Sequence, residues 1–155
     1  MTDHPMFDLP PKAPPEIIEA REALAGQAIQ ALRRAGLPAF RDGETPATDR
    51  AGAVVYVDSD ADTASAPVYM SWRCDPAMLG AAVDSLTSGD PDAPVVRYPG
   101  MISLHMQGAL INILLSSGVS AAPDNDAMNP DHVLVFGTTS DPTPAPLSTP
   151  APETP

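Results

Sequence analysis

The sequence predicts an α+β fold: a two-layer sandwich with a mostly antiparallel sheet of about five strands, about three helices and disordered Pro-rich termini. Three observations carry this expectation. The run MISLHMQGALINILLSSG, from Met101 to Gly118, has helical periodicity and lies in an interval, 98–123, without Lys, Arg, Asp or Glu. The segments GAVVYV, PVYMSWRC and HVLVF alternate or run apolar between turn-rich loops, as strands do. Prolines crowd both ends of the chain, where no regular helix can form.

In chain order, residues 1–15 read as a Pro-rich arm, with Phe7 and Leu9 able to dock on a neighbour. A single domain is expected over 16–137. The first helix covers 16–35. Pro15 suits its first position, Glu16, Glu19 and Glu22 face its positive end, and Arg33 and Arg34 its negative end. Ile17, Leu24, Ala28, Ala31 and Leu32 form its buried stripe, with Ala20 and Ile29 beside it; Gly36 ends it. A short strand over 37–41 follows, then a polar loop. The next two strands form a hairpin with the acidic tip DSDADTASA.

Asp75-Pro76 caps and opens a second helix, which is expected to bury Met78, Leu79, Ala82, Val83 and Leu86. VVRYPG reads as a brief extended piece, broken at Pro99-Gly100, that delivers the central helix 101–118. That helix has a main stripe of Ile102, Met106, Ala109, Leu110 and Ile113. Leu104, Ile111 and Leu115 lie off it and form a candidate interface. Their cover is either the second helix or a second copy of the chain, and the homodimer is the favoured expectation. VSAAP and HVLVF are the last strands. Residues 138–155 read as a disordered Pro/Thr/Ser/Ala tail.

Placing Gly36 over Gly118 aligns AIQALRRAG-LPAFRDGE with LINILLSSG-VSAAPDND, a possible internal α-β-β pseudo-repeat. One glycine anchors this match, so a coincidence of two common joins stands beside it. The order helix, three strands, two helices, two strands, with small size and acidity, is similar to the class of bacterial secretion-chaperone-like domains. The resemblance implies a small acidic dimer that holds partner chains. It rests on topology and charge, and departs at the end, where those domains add a helix and this chain has its Pro-rich tail.

The net charge is −12, and every Lys and Arg lies at or before Arg97. Direct binding to nucleic acid or an anionic membrane is therefore not expected, since both require cations. His105, Gln107 and Asn112 interrupt the central helix, which is not read as a membrane span. One cysteine, Cys74, permits no intrachain disulfide, and the start MTDHPMFDLPPK has no signal-peptide pattern. A cytoplasmic protein is expected.

No motif of a catalytic or phosphate-binding loop occurs. Asp58, Asp60 and Asp62 have the spacing of half a calcium loop, but Thr63 stands at the turn-glycine position and Tyr69 at that of the closing Glu. Asp124, Asp126 and Asp131 form a second acidic loop, which in the repeat corresponds to the loop of Asp42, Glu44 and Asp49, not to the hairpin tip. Cys74 reads as an inert apolar residue. Trp72, Arg73, Arg97 and His105 are the candidate polar site, because arginines beside aromatic residues can receive an anionic group. No metal or other cofactor is expected. The function expected is that of a non-enzymatic adaptor or chaperone-like protein, with an unidentified protein partner. An acidic nucleic-acid mimic that inhibits a basic partner is the alternative, and a small-ligand binder or enzyme comes third.

Overall fold

The computed structural model describes residues 9–44, 50–63 and 65–139. The elements follow in the order α1 (Pro15–Arg34), β1 (Ala39–Arg41), β2 (Gly52–Val57), β3 (Val68–Arg73), α2 (Pro76–Thr87), α3 (Pro94–Ser116), β4 (Val119–Pro123) and β5 (Val133–Thr138). The five strands form one mixed sheet in the order β1-β2-β3-β5-β4. β1 pairs with β2 in parallel, and the other three pairings are antiparallel. The fold is α+β.

Strand alternation divides the sheet into two faces. Ala53, Val55, Val68, Met70, Val133 and Val135 point to the helices and form the main core with Leu24, Ala28, Leu32, Leu110 and Leu114. Phe40 and Val54, with Tyr56 against them, lie on the other face. α1 rests on β1 and β2, α3 on β4 and β3, and α2 chiefly on α3. α2 is thus a flap on a helix, not a third helix on the sheet.

Both helix-to-strand joins are present. Gly36 and Gly118 adopt φ of +89° and +79°, values that favour glycine. The units they begin differ in strand direction: β1 runs parallel to β2, whereas β4 runs antiparallel to β5.

Several expectations are corrected. α3 starts at Pro94, not Met101, so the segment 95–100 is helical and Pro99 lies inside the helix. Proline there forfeits one backbone hydrogen bond. Val95, Val96, Pro99 and Ile102 are half-buried in return, and the Cys74 thiol donates to the Pro99 carbonyl at 3.6 Å. The buried side chains of α3 are Ser103, Leu110 and Leu114; of the expected stripe Leu110 is fully buried, whereas Ile102, Met106, Ala109 and Ile113 are half-buried.

In α2 only Ala82 is buried, while Leu79, Val83 and Leu86 are exposed; a helix lying on one neighbour covers one narrow face. In α1, Ile17 is exposed, and Arg21 and Ala25 are buried. The first strand begins at Ala39, not Leu37. Thr138 belongs to β5, and the Thr139 N–H donates to the Gly118 carbonyl at 2.8 Å, so the strand runs on past 137. Phe7 and the tail from residue 140 lie outside the described residues. The end of the N-terminal arm is not free: Lys12 pairs with Asp60 in an antiparallel bridge, and Ala13 is buried.

Candidate functional site

Residues of two acidic loops line one cleft of the sheet. β1, β2 and β5 run one way, β3 and β4 the other. Asp42 after β1 and Asp58 after β2 therefore leave one end of the sheet and Asp124 after β4 the opposite one, with the three residue pairs of β3 and β5 between them. Between the β2–β3 loop and the β4–β5 loop lies a cleft of about 320 Å³. It is lined by Asp58, Ser65, Ala66, Tyr69, Asp124, Asp126, Asn129, His132 and Leu134. The second acidic loop and the hairpin tip thus line the same cleft.

Each loop is fastened from beneath by a side chain of a different helix. Arg21 of α1, buried, donates through Nη1 to the carbonyls of Asp58 at 2.6 Å and Asp60 at 2.7 Å. Its Nη2 reaches the Ala61 carbonyl at 3.5 Å. Lys12 pairs with the Asp60 carboxylate at 3.0 Å. The half calcium loop of the sequence is therefore built around a guanidinium that supplies the positive charge. Gln107 of α3 donates through Nε2 to the carbonyls of Pro130 at 3.0 Å and His132 at 2.8 Å. Asp124 and Asp126 shape their own loop by accepting the N–H groups of Asp126 and Met128.

Three aromatic rings stand beside the cleft. Tyr56 and Tyr69, paired across β2 and β3, stack with centroids 5.0 Å apart, and His132 stacks on Tyr69 at 5.7 Å. Burial pushes the Tyr69 phenol up from its ordinary value, and Tyr56, Asp58 and Asp42 push it the same way. No group of three or more His, Cys, Asp or Glu among the described residues is placed to hold a metal ion. No helix among them is long and apolar enough to cross a membrane.

The candidate polar site does not assemble as one cluster. Trp72 packs against the main core on the helix side, whereas Arg73, the next residue, lies on the other face with its guanidinium 5.6 Å from the Phe40 ring centre. Arg50 approaches the same ring at 5.1 Å. Arg97 and His105 are exposed on α3, and Arg97 lines a separate groove with Met101, Leu104 and Asp131. Of the candidate interface, Leu104 and Leu115 are half exposed, whereas Ile111 packs against the main core.

Sequence reading missed Arg21 and Gln107, which look like ordinary polar-face residues of their helices. It also missed the convergence of the loops, which requires the strand order. No protein-family model matches the chain, and neither a curated protein nor a solved structure matches it.

Proposed function

We propose that the protein is a small acidic, cytoplasmic, non-enzymatic adaptor or chaperone-like molecule that works through contacts with other chains and pairs with a second copy of itself. The observation that carries this reading is the exposed row of α2: Leu79 at 38%, Val83 at 59% and Leu86 at 52%. These residues recur at helical spacing, as a buried face does. Tyr98, Met101 and Leu104 of α3 are exposed beside them in sequence and are apolar too. Soluble monomers rarely leave such rows uncovered.

Charge supports a second copy as the cover. Two chains of net charge −12 repel over most of their surfaces. The α2–α3 hairpin repels less, because its exposed rows are apolar and its charges are Asp84, Asp90 and Asp92 against Arg97. Asp84 on α2 and Arg97 on α3 have opposite signs, so a two-fold contact can set each against its counterpart. The topological resemblance to secretion-chaperone-like domains points the same way. Adaptor work then falls to the sheet face that the helices leave open.

Light scattering on the wild type and on Val83→Asp tests the reading. The expected result is a dimer of 16.1 kDa chains for the wild type and a folded monomer for the variant. A wild type that stays monomeric at high micromolar concentration would refute it, as would a variant that still dimerises.

A further inference from the structure

We propose that the groove between α3 and the β4–β5 loop is the socket for the α2 row of the second copy. Each chain then gives one ridge and one groove to the pair. The inference rests on the dimer proposed above and names which surfaces meet in it.

The groove has a volume of about 420 Å³ and is lined by Arg97, Gly100, Met101, Leu104, Pro130 and Asp131. Arg97, Met101 and Leu104 stand at i, i+4 and i+7, one stripe of α3. Gln107 continues that stripe and holds the loop beside it through the Pro130 and His132 carbonyls. Gly100 keeps the groove open. No side chain beyond its chain neighbours lies within 4 Å of where its Cβ would stand.

α2 stands on the other flank of α3. It follows β3, whereas the loop follows β4, and these two strands lie on opposite sides of β5. α3 packs on both strands and on α2. Because α2 buries only Ala82, most of it projects as a ridge. An exposed apolar surface thus runs from the α2 row across Tyr98 and Met101 to the groove.

A two-fold axis lying in the contact plane can run across α3 or along it. Across α3, it sets α2 on α2. That brings Asp84 against Asp84 and leaves both grooves empty. Along α3, it sets the α2 row of each copy on the groove of the other, where Asp84, next to Val83, meets a site containing Arg97. Among the described residues no ion pair reaches Asp84 or Arg97, so both are available for this contact. Asp131 on the loop wall repels Asp84 and so fixes the side of the groove on which the ridge enters.

The test uses full chains carrying Cys74→Ala and one new cysteine, either Val83→Cys or Leu104→Cys. The two proteins are mixed and mildly oxidised. The mixed disulfide is expected to form about tenfold faster than either self-link, since only ridge and groove come within bridging distance. In the otherwise native chain, Asp84→Arg and Arg97→Asp should each weaken the dimer about fivefold or more. Mixing those two variants should restore it, because both contacts are then attractive. Gly100→Leu, a better helix former, should keep the fold, fill the groove from within and weaken the dimer about tenfold or more. Sedimentation measures each affinity.

A Val83 self-link that outruns the mixed one would overturn the socket in favour of α2 on α2. Charge variants that dimerise as well as the wild type, or an unaffected Gly100→Leu, would overturn it too. Any of these results on a dimeric wild type leaves the dimer standing and removes the socket. A monomeric wild type removes both.

Discussion

α1 and α2 both carry an apolar row at helical spacing, yet the chain buries one and exposes the other. Leu24, Ala28, Ile29 and Leu32 of α1 lie at 9% exposure or less, whereas Leu79, Val83 and Leu86 of α2 range from 38% to 59%. The rows themselves do not predict this. What differs is the surface beneath. α1 crosses the sheet, and Arg21 ties it to the loop that follows β2. α2 lies on a single helix, which can cover only the side of Ala82. An amphipathic pattern therefore states that a helix needs a cover, without stating whose chain provides it.

The largest effects should come from cutting matching leucines on the two helices. Leu32→Ala should cost about 3–5 kcal/mol, since the side chain is wholly buried and a cavity remains. Leu86→Ala should change the monomer by about 0.5 kcal/mol or less. Urea denaturation at concentrations that keep the chain monomeric measures both, and similar losses would erase the contrast. Next, Arg21→Met keeps much of the volume and removes the donors to three loop carbonyls. A loss of about 2–3 kcal/mol is expected, together with faster amide exchange in residues 58–63. Unchanged exchange there would mean that α1 does not fasten the loop.

The smallest effect concerns Tyr69. Its raised phenol value means that the unfolded chain releases this proton first, near pH 10. The stability it contributes is whole below that pH and is lost as pH rises through the folded value. Tyr69→Phe should therefore have a flatter urea midpoint than the wild type above about pH 10. Parallel profiles would show that the phenol is not perturbed.

Most of the fold was legible because local chemistry set it. Asp75 caps α2 by accepting the Ala77 N–H at 3.0 Å, with Pro76 at the first position, as its sequence implied. VSAAP is β4 residue for residue. The failures were of another kind. Pro99 reads as a helix breaker, yet the helix runs through it, with the Cys74 thiol on its carbonyl and half-buried residues beside it. The α3 stripe was misplaced because Ser103 and Gln107 look like surface residues; Gln107 is turned inward by carbonyls more than twenty positions away. The cleft was illegible for the same reason. Its two acidic loops are each visible, but their meeting depends on β5 inserting between β3 and β4.

The margins of the sheet bear on how this chain aggregates or refrains from doing so. β1 has three residues. β4, at the opposite margin, slips register between Ser120 and Ala121 and ends in Pro123, which has no N–H to offer. A kinked rim with a missing donor is a poor template for another strand. A three-residue rim presents too few groups to hold one. Strand-to-strand polymerisation is thereby blunted on both sides. The pairing proposed above through the α2–α3 hairpin would then be a contact that closes once two copies have met, not an open-ended fibre.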